Sequence, residues 1–171
     1  MELASELKNA LGPLAVSIDH IGSTSIPGLP AKDIIDIQIT VEDISDVKII
    51  TQLVESGFKY RSDINSDSLI GFEGGSDELA KLYFNEIPGN RPSHIHIRNI
   101  GRINQQYPIL FRDFLKADKI VRDAYAEVKK ELAIRFPDDP ESYYAIKDPY
   151  MDTIYRAACL WAEKTGWKTN V

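Results

Sequence analysis

The sequence predicts an α+β fold: a mixed β-sheet flanked by helices, with a helical C-terminal third. Three observations predict it. Residues 33–41 (DIIDIQITV) and 93–99 (SHIHIRN) alternate side chains with period two, as half-buried strands do. Residues 42–57 switch to helical spacing directly after the first of these strands. From residue 103 onward the chain reads as helix almost throughout.

Element by element, residues 2–11 predict a helix through Leu3, Leu7, Ala10 and Leu11, ended by Gly12-Pro13. Residues 14–21 (LAVSIDHI) and 33–41 are Ile- and Val-rich runs too short between breakers for helices, so both read as strands joined by the loop GSTSIPGLPAK. EDISDVKIITQLVESG puts Ile44, Val47, Ile50, Leu53 and Val54 on one helical face and stops at Gly57. Between residues 58 and 99, FKYRS, SLIGFEG, LAKLYFNE and SHIHIRN are candidate strands, and the turn-forming IPGNRP makes a hairpin of the last two. Three helical stretches follow: residues 103–118, 118–136 and 141–166. The second carries Val121, Ala124, Val128 and Leu132 on one face, and Pro108, Pro137, Pro140 and Pro149 mark breaks or first turns.

A length of 171 residues suits a single domain, 1–171, with a sheet-containing part to about residue 102 and a helical part from about 103. With 20 basic and 26 acidic side chains the formal charge is −6, which argues against general nucleic-acid binding. One cysteine, Cys159, precludes an intramolecular disulfide and suits a reducing, cytoplasmic setting. It sits among Ala158 and Leu160 on a helix and reads as structural. The acidic N-terminus has no signal-like apolar segment, and no run of 18 apolar residues would cross a membrane. Neither a P-loop nor a dinucleotide fingerprint is present.

Three features bear on chemistry. Gly22-Ser23 follows the strand ending HI: a glycine allows close backbone approach, and a serine offers an N–H and a hydroxyl to a phosphate oxygen, although such pairs are also ordinary turns. Asp36 and Gln38 share one strand face, with Ile35, Ile37 and Ile39 on the other. A carboxylate there needs a wet face, an arginine partner or a metal. In SHIHIR, His94, His96 and Arg98 project from one face, as an anion site, a metal site or structural side chains. Asp36 or His20, the third histidine, would have to lie alongside to complete a metal set.

Taken together, HIGSTSIPGLPAKDIIDI, SHIHIRN, FRDFL, AYAEVKKELA and YYAIKDPYMDTIYRAA make the chain resemble a GrpB-family protein over nearly its full length. That resemblance implies the nucleotidyltransferase fold, shared with polymerase-β-like enzymes, in a family some of whose members are attached to dephospho-CoA kinase. In that superfamily a strand-end Gly-Ser holds the triphosphate, and carboxylates spaced D-x-D, with a third acid, hold divalent ions for in-line displacement. Carried over, Gly22 and Ser23 match the phosphate step and Asp36 the first carboxylate, while Gln38 stands at the second. Asp36, His94 and His96 become the candidate metal set, with Asp36 and His96 as candidate catalytic groups. One carboxylate with imidazoles suits Mg²⁺ poorly and admits Mn²⁺, Zn²⁺ or Ni²⁺. Lys32, Arg91, Arg98 and Lys147 offer positive charge to phosphates. Lys32 reads first as a solvated loop lysine and Arg112-Asp113 first as an ion pair, while Lys147 reads equally as an exposed helix residue.

The functional expectation is a cytoplasmic nucleotidyltransferase-like protein that binds a nucleotide or another phosphorylated small molecule. It would transfer a nucleotidyl group to a small acceptor with a divalent cation. Two alternatives stand beside it: a non-catalytic metabolite-binding module of the same fold, and a metal-dependent hydrolase using Asp36 and the histidines.

Overall fold

The computed structural model describes residues 2–171. Its elements run α1 (Glu2–Leu11), β1 (Ser17–Ile21), β2 (Ile35–Val41), α2 (Val47–Glu55), β3 (Lys59–Tyr60), β4 (Leu82–Asn85), β5 (Ser93–Asn99), α3 (Ile103–Ala117), α4 (Lys119–Arg135) and α5 (Pro140–Thr165). The sheet has the order β1-β2-β5-β4-β3. Its central pair, β2 and β5, is parallel, and every other pairing is antiparallel, so the sheet is mixed as expected. No helix among the described residues is long and apolar enough to cross a membrane.

Period-two alternation gives the sheet two different faces. Ile37 and Ile39 of β2, Ile95 and Ile97 of β5, and Phe84 of β4 lie on one face and pack with Leu7 and Leu11 of α1 and Ile49 and Leu53 of α2. The other face carries Asp36, Gln38 and Thr40, which pair in register with His94, His96 and Arg98. A second apolar cluster lies within α3, α4 and α5, built on Phe111, Phe114, Leu115, Tyr125 and Tyr155. Ile26 and Leu29, from the loop after β1, are plugged into it.

Several local expectations are corrected. SLIGFEG is no strand: only an isolated bridge, Ser66 to Ala80, joins this region to the chain that leads into β4. Its two glycines, Gly71 and Gly74, supply no side chain to a ladder, and the Ile70 N–H donates instead to Asp152 Oδ2 of α5 at 3.1 Å. FKYRS pairs over Lys59 and Tyr60 alone, and β4 starts at Leu82 because Asp77–Leu79 forms a 3₁₀ turn capped by Ser76. Helix α2 starts at Val47, capped by Asp46, and buries Ile49 and Leu53, while Val47 and Val54 face solvent. Helix α4 buries Tyr125, Ala126, Lys129 and Leu132 rather than the more uniformly aliphatic stripe the spacing suggested.

Pro140 does open a helix, but Pro108 and Pro149 lie inside α3 and α5. A mid-helix proline costs about 3 kcal/mol. Ile109, Leu110, Phe111, Ile154 and Tyr155 are buried just beyond these prolines. Each large apolar side chain so buried contributes about 1.5–3 kcal/mol, enough to carry the helix through the defect.

Candidate functional site

Strand β1 ends at Ile21, and Gly22 turns the chain into a 3₁₀ turn over Ser23–Ser25. Gly22 has φ 67° and ψ −172°, a conformation that is almost exclusively glycine's. A Cβ at this position would lie 2.3 Å from Asp36 Oδ2. The close approach expected of this glycine is therefore to the Asp36 side chain, which β1–β2 pairing sets opposite Ile21.

Parallel pairing sets Asp36 beside His94, with Asp36 Oδ1 3.1 Å from His94 Nδ1 and 4.0 Å from His96 Nε2. Burial alone would raise the Asp36 pKa, but the His94 hydrogen bond and the nearby His96 imidazole outweigh it and hold the carboxyl well below the usual range. His96 has Nδ1 3.3 Å from Arg98 Nη2, which can only donate, so His96 turns Nε2–H toward Asp36. Burial, and then the Arg98 charge, push its pKa down to about 4, leaving a neutral imidazole at neutral pH.

Gln38 is fully buried. Its Oε1 accepts from Arg98 Nη1 at 2.7 Å, and its Nε2 donates to the Gln105 carbonyl of α3 at 2.8 Å. A glutamine performs both tasks, whereas an ionised acid could only accept. Arg98 is held further by Asp67 through Nε at 2.8 Å and Nη2 at 3.1 Å. Lys81 Nζ and Asn104 Nδ2 complete the Asp67 shell at 2.7 and 3.1 Å. Arg98 and Lys81 outweigh the burial that would raise the Asp67 pKa, and hold it well below the usual range. The arginine that sequence offered to a phosphate is thus 4% exposed and mostly committed to protein acceptors.

A cavity of about 770 Å³ separates this polar sheet face from the helices. Gly22, Ser23, Lys32, Asp36, His94, His96, Arg98 and Lys147 all line it, so topology brings these eight to one space, while Arg91 and His20 are not part of the lining. Seven lysines and arginines line it with four aspartates; Arg112 and Lys130 among them are paired with carboxylates outside the lining, Asp19, Asp113 and Glu127. Lys32 is exposed in the loop, and Arg91 is exposed and paired with Asp33. Lys147 pairs with Asp148 at 3.1 Å and lies over the Tyr144 ring. Arg112 pairs with Asp113 at 2.7 Å and Asp19 at 3.4 Å and donates to the His20 carbonyl, which ties α3 to β1. His20 itself lies on the opposite face, in register with Ile37, and bonds to Thr24 Oγ1, so it does not join Asp36.

Sequence reasoning missed Lys129. This lysine of α4 is 7% exposed, and its Nζ donates to Ser23 Oγ and to the Pro30 carbonyl. Burial, followed by the Lys147 charge, lowers its pKa to about 8. Both of its acceptors are neutral, so a buried ammonium stands beside the Gly22-Ser23 turn with no carboxylate in hydrogen-bonding contact. The available signal was Tyr125, four residues earlier, which marks the buried face of AYAEVKKEL on which Lys129 lies.

Asp36 is the carboxylate of the proposed metal set, and its Oδ1 is already engaged by His94. At position 38 the acceptor oxygen meets a guanidinium, which would repel a cation. Among the described residues no three His, Cys, Asp or Glu side chains are grouped to hold a metal ion. The donors present do not fit the pair of divalent ions that D-x-D chemistry requires.

The family model described as GrpB protein matches residues 1–157. The chain is 35% identical over 181 residues to the dephospho-CoA kinase of Mycolicibacterium paratuberculosis, covering 97% of this chain and 44% of that protein. It therefore spans less than half the length of that relative. It is 33% identical to the glutamate-rich protein GrpB of Alkalihalophilus pseudofirmus, over 88% of this chain and 83% of that one. Among solved structures, the conserved protein GrpB from Enterococcus faecalis superposes with a TM-score of 0.74 at 30% identity, covering 98% of this chain and 92% of that one. A Cid1 poly(U) polymerase mutant bound to MgATP superposes with a TM-score of 0.50 at 14% identity, over 80% of this chain and 42% of that one, a likeness of fold.

Proposed function

The chain belongs to the GrpB family and has a nucleotidyltransferase-like fold, and from that premise we propose that its cavity binds a nucleotide or another phosphorylated small molecule, the phosphate resting on the Gly22-Ser23 turn. One observation carries this reading: the Lys129 ammonium, buried against Ser23 with only neutral acceptors. Burying an ammonium with no carboxylate in hydrogen-bonding contact and only the Asp36 charge acting at longer range is costly, and an anion at Ser23 reduces that cost. Lys147, whose charge already acts on Lys129, adds a second positive group from α5. The lone cysteine accords with a cytoplasmic setting. The mycobacterial kinase name belongs to a protein more than twice as long, and no kinase activity is proposed for this chain.

Titration calorimetry with the four common ribonucleoside triphosphates and with inorganic phosphate tests the reading. Binding should weaken at least tenfold in Lys129→Met and fall in Ser23→Ala. Affinity unchanged in both variants would refute it.

A second reading, nucleotidyl transfer, draws on the Asp36–His94 hydrogen bond beside the same turn. Asp36 would hold His94 with Nδ1 protonated, leaving Nε2 to accept the proton of an acceptor hydroxyl. The hydroxyl oxygen would bond to the α-phosphorus as the bond to pyrophosphate breaks. Mass spectrometry of products separates the readings: pyrophosphate release that disappears in His94→Gln favours transfer, and intact nucleotide after prolonged incubation favours binding alone.

A further inference from the structure

The site holds fixed cations at the point where D-x-D enzymes hold metal ions. Position 38 presents an amide whose oxygen already accepts from Arg98 at 2.7 Å, and Arg98 is fixed in turn by two bonds from Asp67. A divalent ion beside position 38 would face that guanidinium with no second carboxylate in return. The Asp36 oxygen nearest the histidines is engaged by His94. Against these stand Lys129 on the Ser23 hydroxyl and Lys147, which lines the same cavity. A free triphosphate carries two more negative charges than its Mg²⁺ complex, so it complements such a lining better.

We propose that the cavity takes the phosphates of its ligand free of a divalent cation, with Lys129 and Lys147 supplying the charge a metal would otherwise supply. The inference rests on the phosphate-binding reading above and deepens it by naming the ionic form of the ligand. Asp36 becomes a negative neighbour of the bound phosphates rather than a bridge to them. It therefore opposes binding, where a metal-bridged site would depend on it.

Calorimetric titration of ATP and of inorganic triphosphate into the full chain, once in EDTA and once in excess Mg²⁺, tests this. Affinity in EDTA is expected to equal or exceed that in Mg²⁺, to drop at least tenfold in Lys129→Met and severalfold in Lys147→Gln, and to hold or rise in Asp36→Asn. Affinity at least tenfold higher in Mg²⁺, or a tenfold loss in Asp36→Asn, overturns the inference while leaving the binding reading intact. No binding under either condition overturns both. Should Lys129→Met fail to fold, the wild-type comparison and the more exposed Lys147→Gln decide the matter.

Discussion

Replacing Gly22 by alanine should damage the chain through two separable effects. The backbone there, at φ 67° and ψ −172°, is strained for any residue with a Cβ, by about 1–3 kcal/mol. The new methyl would also stand 2.3 Å from Asp36 Oδ2, where ordinary contact begins at 3.4 Å, so the carboxylate must withdraw by about 1 Å. That movement takes the 3.1 Å Asp36–His94 contact beyond hydrogen-bonding range. Losing a bond to a charged group costs about 1.5–3 kcal/mol. The sum is about 2.5–6 kcal/mol, or a fall in melting temperature on the order of 10 °C in a chain of this size. Gly28→Ala is the internal control, because Gly28 has φ 82° but nothing within 4 Å of a Cβ. It should show the backbone effect alone. Urea denaturation of both variants measures the difference, expected to be about 2 kcal/mol or more. Equal destabilisation of the two would refute the claim that Gly22 is required by Asp36.

The remaining predictions concern charge. Gln38→Glu keeps the shape but sets a carboxylate oxygen against the Gln105 carbonyl that Gln38 now supplies with a hydrogen at 2.8 Å; urea denaturation should show a loss of about 1–3 kcal/mol despite the closer match to Arg98, and no loss would refute the role given to the amide. His96 titrates at about 4 when folded against an ordinary 6.5, so the unfolded chain binds more protons between these values. Stability should therefore fall as pH drops through that window, and fall further below it as the depressed carboxyls of Asp36 and Asp67 protonate. His96→Asn should flatten the upper part of that profile, and parallel curves would refute the assignment. Lys129 titrates at about 8 when folded against an ordinary 10.5, so the unfolded chain again holds the proton more tightly. Stability should rise with pH between those values, and less steeply in Lys129→Met, which keeps only the smaller contribution of groups such as Lys81. Inorganic triphosphate should bind more weakly at pH 9.5 than at pH 7, because the ammonium at Ser23 has been lost; equal affinity at the two pH values would refute its role.

The alternation in DIIDIQITV and SHIHIRN made the two central strands, and the polar face they share, legible because a period of two leaves little choice of which side chains go together. It did not reveal that β2 and β5 lie side by side and parallel, the one fact that sets Asp36 against His94. Strand order is a long-range property, and nothing local to either segment encodes it. Helix faces were harder to read where apolar residues surround the helix. In α2 the chosen stripe ran through Val47 and Val54, both exposed, because Ile49 and Ile50 gave two overlapping solutions. In α4 the aliphatic stripe through Val121, Ala124 and Val128 competes with the face of Tyr125, on which Lys129 lies. SLIGFEG carried strand-like residues, but no strand edge stands there to receive it. Gln38 looked like an incomplete catalytic acid because its partners, Arg98 and the Gln105 carbonyl, are 60 and 67 residues away.

Two apolar clusters stand apart, one beneath the sheet with α1 and α2 and the other within α3, α4 and α5, and the polar layer between them belongs to neither. The charged and hydroxyl side chains that would meet a phosphate are not members of either cluster, although Ile26, Phe111 and Tyr125 of the second cluster also line the cavity. Lys147, Ser23 and His94 belong to neither cluster, while Arg98, Gln38 and Asp67 rivet the layer in place. Such a division lets recognition drift while the scaffold is conserved: relatives can share every buried isoleucine of the sheet and still differ in the molecule they hold.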